Sequence, residues 1–503
     1  MGTLASAFVG PDIAFTDLLP LLVWLGTTCA VLLLGSLVPR LPKGSFVVAT
    51  AGSSVAVVVL EWIKWRNLGH DGIDSIVADA VAIDHFAVFA TAIIAIALGL
   101  VSFLVHDYLQ REGNDGPELY AMFLTAAMGA QIMVSANDLI VLFLGLETLS
   151  LSLYVLAASN RRREQSQEAG IKYFVLGGFA SAFFLYGIAL IYGNTGTTNI
   201  TEIATKLGSA VSLQRDEALL LVGIGLLLVG LAFKVSAVPF HSWAPDVYEG
   251  APSPVTAFMA SAGKVAAFAA ILRVLTIALE RRVDDWRPVI WVLALLTVFV
   301  GSIMAVVQTN VKRMLAFSSI THAGFVLVGV EAAAHAGGNG IASSLTYLLL
   351  YTVLVIGSFA VVFVVAGRGD GATSLEDFAG LARRRPLLTL AFTVLLLAQA
   401  GVPFTSGFIA KFGVIKSAVE VHSYAIAIAA MVAAVIGAFL YLRIMVSMWL
   451  QDPADDSTVT VPLATGAVIA FAVLFTLFVG VFPGWLLDAA KHIDVFSNAA
   501  AGE

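Results

Sequence analysis

The chain has 503 residues, of which 59% are hydrophobic and only 12% charged, with a mean hydropathy of +0.94. A water-soluble domain is about a quarter charged, so this chain lacks the polar surface to coat a globule and its exterior is expected to face lipid. The net charge of −7 is thinly spread and leaves no basic patch for nucleic acid. The single cysteine, Cys29, excludes a disulfide framework and an iron–sulfur cluster, which needs about four ligands.

A spanning helix takes roughly 20 apolar residues, because about 30 Å of hydrocarbon is crossed at about 1.5 Å per residue. Residues 1–17 carry no Lys or Arg, so the first run reads as a retained helix and not a secretory signal. Runs of spanning length fall near 18–38, 45–65, 83–105, 118–135, 138–158, 169–192 and 217–243. They continue near 252–279, 288–308, 311–330, 341–366, 386–415, 423–450 and 462–482, which predicts an all-α polytopic protein of about fourteen transmembrane helices. The connections are short, apart from a small excursion at 193–216.

Lys and Arg concentrate in the loops after odd-numbered runs: Arg40, Lys43, Arg111, Arg161, Arg162, Arg163, Lys312, Arg313, Arg368, Arg383, Arg384 and Arg385. The even loops hold fewer and mix them with acids, as at Glu280 to Asp285. The positive-inside rule therefore puts the odd loops in the cytoplasm and both termini on the other side.

Val238-Pro239-Phe240-His241-Ser242 returns as Val402-Pro403-Phe404-Thr405-Ser406, 164 residues later and inside another long apolar run. Paired, proline-interrupted helices in corresponding halves point to a transporter built from repeats. Each proline removes a donor and frees a carbonyl four residues earlier, here at Val235 and Gln399. Such broken backbone survives in a membrane only where protein buries it or a wet cavity receives it.

The functional signal is the set of ionisable side chains inside the runs, each costing about 2.5–3.5 kcal/mol at mid-bilayer. Glu147 falls mid-way along the fifth run. Lys234 lies five residues before Pro239, Lys264 about twelve residues into the eighth run, and Lys411 just past the second break. Snorkelling serves lysines near helix ends; it explains Lys172, near the start of the sixth run, as readily as function does, but not the three deeper ones. His322 and His241 compete with the ordinary reading of a hydrogen-bonded core histidine, and Lys312 is a secondary candidate. Arg273 and Arg443 cannot release a proton and read as anchors. Lysine is the informative choice. Its reference pKa is about 10.4, burial lowers that of an amine and a nearby carboxylate restores it. A Glu–Lys pair about 4 Å apart at an effective dielectric near 20 is worth about 4 kcal/mol, so moving Glu147 against Lys234 would switch the amine between holding and releasing a proton. No dinucleotide or phosphate loop, C-x-x-C or metal-spaced His/Cys cluster occurs, so the energy is expected from an ion gradient or a partner.

From Lys234 to Lys264, and above all in Pro245-Asp246-Val247-Tyr248-Glu249-Gly250-Ala251-Pro252, the chain closely resembles subunit N of bacterial respiratory complex I, the proton-translocating NADH–quinone oxidoreductase. The stretches 137–157, 310–329 and 401–412 are similar to the same subunit, and the resemblance covers essentially the whole chain. It implies two inverted five-helix repeats with helices 7 and 12 broken, which divides the chain into 1–117 (helices 1–3), 118–280 (helices 4–8), 281–450 (helices 9–13) and 451–503 (helix 14 and tail). It also implies a hydrophilic axis through Glu147, Lys172, Lys234, Lys264, His322 and Lys411, with Glu147 paired to Lys234, Lys264 joining the halves and Lys411 as the terminal proton site. NADH, FMN, iron–sulfur clusters and quinone are then expected on other subunits and no cofactor on this chain. Its partners would be a neighbouring antiporter-like subunit and small membrane subunits, in a bacterial plasma membrane. Subunit L carries a long lateral C-terminal helix, whereas this chain ends about 20 residues after its last span; subunit M typically has glutamate where Lys411 stands. A subunit of a cation/proton antiporter and a non-pumping scaffold are the alternatives.

Overall fold

A computed structural model describes residues 13–38, 41–42, 44–68, 74–113, 116–208, 217–335, 338–453 and 459–493. Arg40 and Lys43, both used in the loop-charge count, lie outside them. Three helices open the chain: α1 (Leu19–Leu37), α2 (Ser45–Asn67) and α3 (His85–Glu112), with a small antiparallel hairpin, β1 (Asp74–Ile76) and β2 (Val81–Ile83), between the last two. Next come α4 (Pro117–Ser135), α5 (Leu139–Ala157), α6 (Glu164–Thr195) and a short surface helix, α7 (Ile200–Gly208). The seventh span is broken into α8 (Glu217–Lys234) and α9 (Trp243–Gly250), and the eighth runs from α10 (Ser253–Phe258) through a π-helical turn at Met259–Gly263 into α11 (Lys264–Arg273).

A similar order follows in the second half: α12 (Val283–Val306), α13 (Val311–Ala332), α14 (Gly340–Ala366) and a short connecting helix, α15 (Leu381–Arg384). The twelfth span is broken into α16 (Pro386–Ala400) and α17 (Ser406–Glu420), followed by α18 (Tyr424–Leu450), α19 (Leu463–Val481) and the short α20 (Gly484–Ala490). Thirteen helices among the described residues are long and apolar enough to cross a membrane, and the split α16/α17 segment supplies the fourteenth crossing.

Burial sorts these helices. α13 and α14 are almost wholly enclosed by the others, whereas α1, α2, α6, α18 and α19 turn large apolar side chains outward, for example Val48, Ile171, Val435 and Leu474. An apolar exterior around a partly polar interior is the pattern that lipid as solvent selects. Close approach of α4 and α5 depends on glycine: a Cβ at Gly129 would lie 2.4 Å from Leu149 N, and one at Gly145 would lie 2.8 Å from Met133 N. Small residues at such crossings let backbones meet where no hydrophobic drive holds helices together.

The breaks hold as expected, with their carbonyls satisfied one or two residues from the predicted positions. At the first, Trp243 Nε1 donates to Phe233 O at 2.9 Å, and Ser236 takes a left-handed φ of 59° as the chain turns. At the second, Lys411 Nζ donates to Ala400 O at 2.9 Å, with Phe404 at φ 64°. The helix unwinds over several residues, so carbonyls of the last helical turn become available beside the ones opposite the proline ring.

Both intramembrane arginines are anchors. Arg443 Nη1 donates to Val306 O (2.8 Å) and Gln308 O (2.7 Å), closing the end of α12. Arg273, 1% exposed, meets the fully buried Asp84 at 2.8 and 2.9 Å and Val134 O at 3.1 Å, while Asp84 also caps α3 through Ala87 N. Removing one partner of a buried pair costs about 3–5 kcal/mol, because the other charge is left stranded. Asp84→Ala should therefore sharply reduce the folded protein recovered in membranes. The double variant Asp84→Ala/Arg273→Leu should recover part of it in the same yield and thermal-melt measurement, and equal losses would reject this account.

Candidate functional site: a buried row of amines

The fifth helix presents one polar face: Glu147, Ser150 and Tyr154 are three, then four, residues apart and so lie above one another. Lys234, at the last turn of α8, points to it. Its Nζ donates to Ser150 Oγ at 2.6 Å, lies 3.4 Å from Tyr154 Oη, and sits over the Tyr154 and Tyr173 rings at 5.4 and 5.7 Å. Glu147 accepts a short hydrogen bond from Ser181 on α6 and lies within electrostatic reach of Lys234. The two are held by different hydroxyls, Glu147 by Ser181 and Lys234 by Ser150, whose own proton goes to Leu146 O.

Lys264 follows directly on the π-helical turn and is 2% exposed. Such a turn carries one extra residue, which rotates the following side chain relative to a regular helix. Its amine donates to Ser319 O on α13. That helix then supplies a face of its own in Ser318, Ser319, His322 and Phe325. His322 is clasped by two tyrosines: Nδ1 lies 2.6 Å from Tyr347 Oη on α14 and Nε2 lies 3.2 Å from Tyr441 Oη on α18. Tyr441 Oη lies 2.6 Å from Ser318 Oγ, which reaches Gln399 at 3.3 Å, and Gln399 donates to Ser358 at 2.6 Å. Lys411 follows, 8% exposed, its amine on Ala400 O and 5.0 Å from the centre of the Phe325 ring. Lys264 and Lys411 both lie within electrostatic reach of the imidazole.

Of the six predicted axis residues, Lys234, Lys264, His322 and Lys411 are buried and Glu147 is half-buried; they gather as two groups, Glu147 with Lys234, and Lys264 and Lys411 about His322. The sixth does not join them. Lys172 is 40% exposed and pairs with Glu168 (2.6 Å) and Asp246 (2.7 Å), while its neighbour Tyr173 is the residue that faces Lys234. Asp246 also holds Arg313 at 2.6 Å, and Arg313 holds Glu249 at 3.1 Å. Lys312 is fully buried on the same side, donating to Ala251 O and lying 3.6 Å from Asp370, which meets Arg111 at 3.0 Å and accepts from Ser253 N at 2.6 Å. These groups tie the odd-loop ends of the first half to those of the second. His241 is half-buried in the turn between α8 and α9. Sequence reasoning missed Tyr347, Tyr441 and Ser150, whose hydroxyls fill the gaps between the charged groups; tyrosines within apolar runs carry no signal separating them from packing residues. Among the described residues, no three His, Cys, Asp or Glu side chains gather into a metal site.

Buried amines, an imidazole and phenols near hydroxyls and carbonyls are groups able to hold and release protons, and the fold with its two broken helices is that of an antiporter-like transmembrane subunit. Residues 136–437 match the family described as NADH:quinone oxidoreductase/Mrp antiporter, TM. The chain belongs to this family, and within it to the subunit N branch of NADH-quinone oxidoreductase. It is 40% identical over 98% of its length to NADH-quinone oxidoreductase subunit N 3 of Streptomyces griseus, of which the match covers 96%. In solved structures it is similar to a chain of respiratory complex I from Thermus thermophilus, with 32% identity, a TM-score of 0.79, and coverage of 94% of this chain and 100% of that one. A chain of the Mrp complex from Dietzia sp. shares the fold at 20% identity, with a TM-score of 0.83 and coverage of 96% and 97%.

Asp370 lies in the loop outside the spans, and its pH dependence is testable. Burial alone would raise its pKa; the opposing charges of Lys312 and Arg111, with donation from Ser253, hold it below the ordinary aspartate range. A depressed carboxyl contributes stability above its unfolded value of about 3.9, lost as pH falls through the lower folded value. In detergent melts, the gap between the native chain and Asp370→Asn should be wide at pH 7 and close toward the acid end. A gap constant with pH would reject the assignment.

Proposed function

We propose that this chain translocates protons along Glu147, Lys234, Lys264, His322 and Lys411 as the N subunit of a proton-pumping NADH-quinone oxidoreductase. The observation that carries the reading is the burial of three amines inside the spans, each 8% exposed or less, with Lys234 on the polar face of the fifth helix and Lys264 and Lys411 both within electrostatic reach of His322. Lysines kept in a low-dielectric interior need a return on their desolvation cost, and reversible protonation is what an amine offers there that an arginine does not.

In this reading the charge of Glu147 sets the charge state of Lys234 through space. Lys264 passes the proton between halves at the π-helical turn, the two tyrosines orient His322, and Lys411 is the terminal site. Lys172 and Lys312 belong to the charged network on the odd-loop side and not to the row, and His241 lies beside the first break. The driving energy comes from quinone reduction on other subunits, which also hold the NADH, FMN and iron–sulfur chemistry. The partners are a neighbouring antiporter-like subunit and small membrane subunits in a bacterial plasma membrane. The odd loops face the cytoplasm and both termini the opposite side. The Mrp likeness supports the shared fold; the higher identity to subunit N relatives favours the redox complex, and co-purification with redox subunits separates the two.

Glu147→Gln, Lys234→Met and Lys411→Met should each leave the complex assembled. Each should lower NADH-driven proton uptake through this chain in proteoliposomes at least about tenfold, equivalent to about 1.4 kcal/mol on the limiting barrier. Full pumping with any of the three would dispose of the row as the conducting path.

A further inference from the structure

The N-terminal helices bury a second carboxylate that the row does not use. Glu61 lies near the end of α2 and is 3% exposed. It lines a cavity of about 60 Å³ among the ends of α1, α2, α3 and α4, together with Lys64, Thr91, Gln131 and Ser135. Lys64 stands 4.0 Å from Glu61 Oε1 and donates instead to Asp17 O. Gln131, on α4 and 8% exposed, has its side-chain oxygen buried with no hydrogen-bond partner, and the hydroxyl of Ser135 is committed to Gln131 O at 2.9 Å. Gln131 Oε1 is thus a buried acceptor without a donor, which costs about 1–3 kcal/mol. The cavity has room for about two to four waters.

We propose that Glu61 is a second proton-binding site, off the main row, whose proton is shared through cavity water with Gln131 Oε1. A protonated carboxyl offers Gln131 Oε1 a donor through cavity water, and the charge it gives up is held only by the 4.0 Å contact with Lys64, whose ammonium keeps its bond to Asp17 O. The charged groups facing Glu61 are Lys64 on its own helix and Asp17 ahead of α1. From α3 and α4 come the neutral Thr91, Gln131 and Ser135. Nearby His85 is turned edge-on to Trp65, with ring centres 4.6 Å apart, and Asp84 is neutralised by Arg273. The site lies where the even loops emerge, and α4, which carries Gln131, packs its other side on the helix of Glu147. Proton occupancy there changes the local charge by one without entering the conducting succession.

Infrared difference spectra of the assembled complex in lipid nanodiscs, taken between acid and alkaline pH, test this. A protonated-carboxyl C=O band is expected that is absent in Glu61→Gln and shifted in frequency in Gln131→Leu. Identical bands in native complex and Glu61→Gln would overturn the proposal. So would a Glu61 signal that responds to exchange of sodium for potassium and not to pH, which would make the pocket a metal-cation site. If Glu61→Gln does not assemble, Gln131→Leu decides: an unshifted carboxyl spectrum overturns the shared proton.

Discussion

Everything in this structure answers to the cost of charge in a low-dielectric interior. An ion pair or a protonatable amine is admissible between helices only if its neighbours return what hydration would have given. The chain meets that demand in two different ways. At the loop ends it pairs opposite charges closely, as in Asp84 with Arg273 and Asp370 with Arg111. Along the row it surrounds each cation with neutral dipoles instead: serine hydroxyls, a helix-end carbonyl, phenols and ring faces. The first solution fixes a charge permanently. The second leaves it free to be given up, because a carbonyl or hydroxyl does not bind an ammonium as tightly as a carboxylate does.

The two broken helices serve this second solution. A regular helix commits its carbonyls to its own ladder and offers a side chain only their second lone pair, as Ser319 O offers Lys264. Unwinding at Pro239 and Pro403 releases acceptors at depth, and Lys411 takes one of them while Trp243 takes another. The π-helical turn before Lys264 re-aims the amine toward α13 by adding a residue to the turn. Irregular backbone thus adjoins Lys234, Lys264 and Lys411, and a second π-helical turn, Val274–Ala278, follows the anchor Arg273.

Much of this was legible in the sequence. Lipid-length runs gave the spans, the Val-Pro-Phe echo gave both breaks, and the expense of Lys234, Lys264 and Lys411 marked the row. Lys172 was placed among them by resemblance, yet its partner Asp246 lies 74 residues away and the side chain follows that carboxylate to the rim. Periodicity has no access to such long-range pairing. The same limit hid Tyr347 and Tyr441, which matter only because three separate helices bring them to one imidazole. The side-chain donors at the breaks, Trp243 and Lys411, take the neighbouring carbonyls of Phe233 and Ala400, and sequence spacing gave no sign of either pairing.

The segment 245–252 gains a mechanical meaning from its contacts. Asp246 and Glu249 clamp Arg313, Ala251 O takes Lys312, and Ser253 N takes Asp370, so the end of one half is riveted to the start of the other at several points. A carrier that works by rocking its halves about a central site would have to shear these rivets on every cycle. Small side-chain swings break none of these contacts, whereas a rotation of whole bundles breaks them all, so the pinned ends suit a wired conduit better than a revolving door.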